Sequence, residues 1–166
     1  MSSSKRYRWW HAAAVGLLAN APTALGFVGQ NSKPVYQNLD QPPGAPPPWA
    51  FGPAWTFNSV ATLWSNLRIA NAPQGTPGRK AYLALEGVGW GLYAGFTPAF
   101  FGLRSPVLGA VDSVAFFGTT LASTAVAARI DKKAALALLP RLAWTGFASY
   151  LAVGVARRND DPLFDS

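Results

Sequence analysis

Residues 106–128, PVLGAVDSVAFFGTTLASTAVAA, form an apolar run broken by a single charge, Asp112, and followed at once by RIDKK at 129–133. Such a run supplies the ~20 residues that a helix needs to cross ~30 Å of hydrocarbon. The charged break predicts a turn at a membrane surface, because Lys and Arg settle at the ends of spans. Outward from this stretch the pattern recurs. Runs with few or no charges cover 142–156 on one side, and 81–103, 49–67 and 9–28 on the other. With their flanks they predict spans at 9–28, 49–69, 81–103, 106–128 and 134–156. Backbone groups in lipid must bond one another, so helices are expected rather than open strands. The fold class that follows is all-α, an integral membrane bundle of five transmembrane helices forming one domain over residues 1–166.

Composition agrees. Half of the 166 residues are hydrophobic and 13% are charged, against about a quarter charged in a soluble domain. No cysteine is present, which excludes disulfides and a thiolate metal site. The one histidine, His11, adjoins the Trp9-Trp10 pair and reads as an interfacial residue. A net charge of +7 in a soluble protein would suggest nucleic acid. Here Arg8, Arg68, Arg79, Lys80, Arg129, Lys132 and Lys133 fall at span ends, with Arg141 at the edge of the last. The partner these cations imply is membrane lipid, and no nucleic acid is expected. They outnumber Lys33, Arg104, Arg157 and Arg158 on the opposite side, so the positive-inside rule puts the N-terminus in the cytoplasm. Lys5, Arg6 and Arg8 before an apolar run also resemble a signal peptide with a weak Ala19-Asn20-Ala21 cleavage pattern. The run's length and its interruptions at Asn20 and Pro22 favour a span.

The longest connection, about 29–48, ends in QPPGAPPPW (residues 41–49). Proline lacks the amide a helix needs, so this end is expected to be extended and stiff. Pro106 sits where a helix can begin, and Asp131, Lys132 and Lys133 separate the last two spans. Short connections make sequential helices antiparallel neighbours.

Catalytic templates return nothing: no Walker loop, no paired histidines at metal spacing and no GxSxG elbow. No catalytic residue and no metal ligand is therefore expected. Two acids lie within spans. Asp112 reads first as a helix-packing hydrogen bonder, and Glu86 as a local partner of Arg79 or Lys80. Tryptophan is the unusual feature. Trp9, Trp10 and Trp49 read as interfacial anchors, whereas Trp55, Trp64, Trp90 and Trp144 lie deeper and offer flat faces to a macrocycle or a sterol. Packing alone remains the simpler account of them on composition. Gly87, Gly91 and Gly95 make a double GxxxG ladder, a face on which two helix backbones approach closely; a homodimer is placed slightly ahead of packing within the bundle.

Specific strings then add a resemblance. PPPWAFGPAWT (46–56), FTPAFFGLRSP (96–106), Asp112 and LALLPRLAWTGFASYL (136–151) are together similar to the translocator (TspO/MBR, tryptophan-rich sensory) family, in order and at similar spacings. Pro22 and Gly26-Phe27 fit the same pattern in the first span. The resemblance implies a five-helix bundle, usually dimeric, in the mitochondrial outer membrane or a bacterial membrane, with the former ranked first. It implies a ligand cavity under the first loop, binding porphyrins and, in animal members, cholesterol. Carried over by position, the cavity would comprise Phe51, Gly52, Ala54, Trp55, Leu108, Val111, Ala115, Trp144, Ala148 and Leu151. Trp144, Ala148 and Leu151 also share one helix face by spacing.

Departures matter as much. Ser59 stands where the family often has tyrosine, Tyr93 and Phe96 where it has Asn and Trp, Arg141 where it has the tyrosine of "PYL", and Ala152 where it has asparagine. The sterol pattern L/V-x-Y-x-K/R lacks its tyrosine, since Val153 occupies that place; a reversed version exists at Arg141, Phe147 and Leu151. The expected function is therefore a membrane binder of porphyrins, with sterols less supported, acting in transport, sensing or sequestration and requiring no cofactor; a haem-like tetrapyrrole is its ligand. A light-dependent porphyrin-degrading enzyme is the first alternative and a structural subunit without a small ligand the second, and a binder is favoured over an enzyme.

Overall fold

The computed structural model describes residues 6–24 and 32–164. Among them there is no strand, and six helices account for most of the chain: α1 (Trp9–Ala24), α2 (Ser32–Asn38), α3 (Phe51–Ala70), α4 (Arg79–Thr97), α5 (Pro106–Ile130) and α6 (Lys132–Ala156). The end of the first expected span, with Gly26 and Phe27, lies outside the described residues. Helix α2 falls inside the connection read from sequence as a loop. The proline-rich stretch after it is non-helical until a 3-10 turn, Pro48–Ala50, leads into α3. A π-helical segment, Pro98–Gly102, ends α4.

The five long helices close into a ring. Helix α1 packs on α3 and α4, α3 on α6, α6 on α5 and α5 on α4, while α3 and α4 also touch across it. Their ends are set by local chemistry. The Ser105 hydroxyl caps α5 by accepting from the Leu108 amide at 3.1 Å. Asp161, from the C-terminal tail, accepts from the Ser105 hydroxyl at 2.6 Å and from the Val107 amide at 2.8 Å. A carboxylate at a helix N-terminus meets the amides that have no intrahelical acceptor. Asp131 ends α5 and begins α6, accepting from the Lys133 and Ala134 amides at 2.9 and 3.2 Å. Arg68 bridges to it at 2.6 Å from the end of α3. Desolvation pushes the Asp131 carboxyl up, but the Arg68 guanidinium and the two amides outweigh it and hold the group below the usual carboxylate range.

Helices α5 and α6 are long and apolar enough to cross a membrane, yet only 33% of each apolar window is buried inside the chain. The remainder faces outward: Val111, Val114 and Leu121 on α5, and Leu136, Leu139 and Tyr150 on α6, are all exposed. Most inward residues are small or polar, with Phe116 on α5 and Leu138, Leu151 and Val155 on α6 as the larger exceptions. On α5, Gly109, Ser113, Phe116, Thr120, Ser123 and Ala127 are buried, three and four apart in alternation. On α6, Ser149 donates to the Ser113 carbonyl at 2.9 Å and Thr145 to the Arg141 carbonyl at 2.9 Å. An apolar exterior around a small, polar seam is the arrangement of a protein that has lipid for solvent. The chain thus has membrane character. Helices α3 and α4 carry Asn58, Asn66, Trp90, Tyr93 and Glu86, and fall short of the hydropathy of α5 and α6.

Candidate functional site

Rings from five helices touch in sequence through the middle of the bundle. Tyr36 of α2 meets Phe51 edge-on at 5.6 Å between centroids. Phe51 meets Trp144 of α6 at 5.8 Å, and Trp144 meets Trp55 at 6.2 Å and 88°. Trp55 stacks on Phe116 of α5 at 6.0 Å and 12°, and contacts Tyr93 of α4 at 5.4 Å. Tyr93 in turn meets Trp90 at 5.6 Å and donates to the Asn20 side chain of α1 at 2.9 Å. Such spacings fall within the range in which aromatic pairs attract beyond their buried area.

Beside the rings lies a buried polar network. Arg141 donates twice to Glu86, at 3.0 Å from Nη1 and 2.5 Å from Nη2, and both side chains are almost fully buried. The Phe116 ring lies 5.7 Å from the guanidinium carbon. With its amide nitrogen turned toward Glu86, Asn66 donates to Oε2 at 3.0 Å and accepts from the Trp90 indole at 3.0 Å. The Tyr82 hydroxyl lies 2.8 Å from Ser65 Oγ, which donates to the Ala134 carbonyl at 3.0 Å. Two expectations are corrected here. Glu86 pairs with Arg141 across the bundle rather than with Arg79 or Lys80, and Arg79 instead donates to the Ala70 carbonyl at 2.7 Å. Arg141 is an interior residue, because α6 begins at Lys132 and carries it more than two turns in.

Trp55, Asn58, Ser59, Thr62, Trp90, Tyr93, Phe116 and Arg141 enclose a space of about 10 Å³. That is room for about one water. In this conformation the rings fill the middle of the bundle themselves, so a macrocycle requires them to part.

Of the residues expected to line a cavity, the structure brings Phe51, Trp55 and Trp144 together. Leu151 is buried on the same helix as Trp144, and Ala54, Leu108 and Ala148 are half-buried. Gly52 is exposed with open space beside it. Val111 is 61% exposed and Ala115 is exposed too, so both are on the outer side of α5, two residues off its buried seam. Trp64, expected to lie deep, is an outer residue at 36% exposure with the Arg68 guanidinium 4.9 Å from its ring. Trp9, Trp10 and Trp49 are exposed. Asp112 packs beside Gly95. Residues that sequence reading passed over are Thr62, Asn58, Phe116 and the Glu86–Arg141 pair; the signal for Phe116 was its place on the three-four seam of α5.

Comparison with known proteins agrees with the strings read from the sequence. A sequence model of the TspO/MBR family matches residues 12–158. The chain is 30% identical over 141 residues to the tryptophan-rich protein TspO of Chlorobaculum tepidum, covering 82% of this chain and 89% of that protein. It is 34% identical over 164 residues to the translocator protein homolog of Schizosaccharomyces pombe, covering 91% and 92%. It is also 30% identical over 140 residues to the human translocator protein, covering 75% and 74%.

Proposed function

The chain belongs to the TspO/MBR family, and on that footing we propose that it is a five-span membrane protein that binds a porphyrin among its helices. The observation that carries this reading is the run of rings Phe51, Trp144, Trp55 and Phe116, contributed by three helices. A flat tetrapyrrole slotted among them replaces ring–ring contacts by ring–ligand contacts of similar area, so the rings lose little by opening. The first loop reaches the same rings through Tyr36 and Phe51, which suits it to gate entry. Sequestration, sensing and transport all require this binding step. A sterol surface on α6 has less support, because Arg141 is engaged inside the bundle and Leu151 is buried.

The test is a tryptophan-quenching titration of the detergent-purified protein with protoporphyrin IX. Saturable quenching at micromolar ligand is expected in the native protein, and its loss in Trp55→Ala/Trp144→Ala. Equal quenching in both proteins, or none in either, would set the reading aside. Illuminating the complex separates binding from degradation: retention of the porphyrin absorbance band eliminates a light-dependent enzyme.

The closed interior favours a second reading, a structural subunit that works by assembly. Gly87 and Gly91 are exposed on α4 and, among the described residues, no other element comes within 4 Å of where a Cβ would stand on either, while Gly95 lies against Asp112. A second copy approaching over Gly87 and Gly91 accounts for this bare strip. The expected result of Gly91→Leu is a shift from dimer to monomer in detergent; an unchanged size removes the dimer face.

A further inference from the structure

The rings account for a flat apolar ligand, but they do not account for the charged group beside them. Arg141 is 4% exposed, and its two terminal nitrogens engage the two oxygens of Glu86. That is the end-on face of the guanidinium. A guanidinium has a second face, formed by Nε–H and the neighbouring terminal N–H, with the same spacing as a carboxylate's two oxygens. Arg141 Nε is buried without a hydrogen-bond partner. The Thr62 hydroxyl, 1% exposed, is likewise buried without one. Both side chains line the small space that Trp55, Trp90, Tyr93 and Phe116 enclose, together with Asn58 and Ser59. Buried donors left unmatched are rare in native proteins, and each calls for a partner, a water or an arriving polar group; here two converge on one space beside the rings.

We infer that this is the acid-recognition end of the ligand site: the free face of Arg141, with Thr62, takes a carboxylate carried by the ring ligand that stacks on Trp55 and Trp144. A single carbonyl would satisfy one of the two parallel donors, whereas a carboxylate satisfies both. Glu86 does not compete for that face. It neutralises the guanidinium and holds it in place, fixed in turn by Asn66, which Trp90 orients. The Phe116 ring, between the guanidinium and Trp55, joins the charged end to the stacking end. The ligand class so defined is a planar, largely apolar acid rather than any flat hydrocarbon. This inference rests on the porphyrin reading above and narrows it.

The test compares protoporphyrin IX with its dimethyl ester, the same macrocycle with both acids blocked, in one detergent. The native protein is expected to bind the diacid at least about tenfold more tightly, the ratio for a hydrogen bond to a charged group. Arg141→Lys keeps a cation for Glu86 but has no second fork, and is expected to bind both ligands alike. Glu86→Leu/Arg141→Met, which removes the pair as a unit, serves if the lysine variant does not fold, with the same expected loss of preference. Equal affinity for diacid and ester in the native protein overturns the inference and leaves porphyrin binding intact. A preference that survives in the variants assigns the acid to another group and also overturns it. If neither ligand binds the native protein, the porphyrin reading itself falls and this inference falls with it.

Discussion

Arg141→Leu alone is expected to lower the stability of the detergent-solubilised bundle by about 3–5 kcal/mol, whereas Glu86→Leu/Arg141→Leu should recover most of that loss. The asymmetry has a physical cause. Glu86 and Arg141 are both nearly absent from the surface, so removing one leaves the other as an uncompensated charge among apolar rings. Removing both leaves only a packing change, since two leucines approximate the volume at the α4–α6 level. Asn66 keeps Tyr82 and Trp90 as partners in either case. Glu86→Gln, which keeps hydrogen-bond acceptance and drops the charge, should fall between them. The measurement is a thermal melt followed by tryptophan fluorescence, where the single variant should shift by roughly 10 °C. A single variant that melts with the native protein would show that the pair contributes nothing and that the interior is wetter than its burial implies.

How much of this was legible beforehand depends on whether the signal was local. Helix positions were, because a charge or a proline ends an apolar run wherever it stands: Ser105-Pro106 opens α5, and Asp131 divides α5 from α6. The meeting of Phe51, Trp55 and Trp144 was legible through the resemblance. The inward face of α5 was not legible from apolar periodicity, because α5 is apolar on its outside, and carrying positions over from the family put Val111 and Ala115 in the cavity. Its inward seam is carried by Gly109, Ser113, Thr120, Ser123 and Ala127, small residues that let helices approach in lipid. Read by that rule, Val111 and Ala115 stand about 200° from Gly109 and Ser113 at 3.6 residues per turn, on the outer face. The Glu86–Arg141 pair joins residues 55 apart in sequence, and each alone looked like a span-end charge. Only the ring closure of α4, α5 and α6 brings them together.

The second large effect concerns the first loop, which is held down against the C-terminal part of α6 and the residues after it. Asn159 exchanges two hydrogen bonds with the backbone of Asp40, at 2.8 and 3.1 Å. The Tyr150 hydroxyl donates to the Pro43 carbonyl at 3.1 Å. Between them Pro42 sits directly on Gly154 of α6: a Cβ at residue 154 would lie 2.7 and 2.8 Å from Pro42 Cβ and Cγ. Neither side can give way easily, since one is a helix backbone and the other a closed ring. Gly154→Val is therefore expected to lift the loop and to break the three hydrogen bonds that flank the contact. At about 1 kcal/mol each, their loss shifts the ratio of lifted to seated loop by about a hundredfold. The helices themselves lose nothing by the change, because residue 154 lies near the end of α6 and valine has a higher helix propensity than glycine, by a few tenths of a kcal/mol. The expected readout is rapid protease cleavage within residues 39–47 in the variant, with a melt close to native and faster porphyrin release. A loop as protected in Gly154→Val as in the native protein would mean that α6 yields instead, and the Pro42 contact would then be a consequence of loop seating rather than its cause.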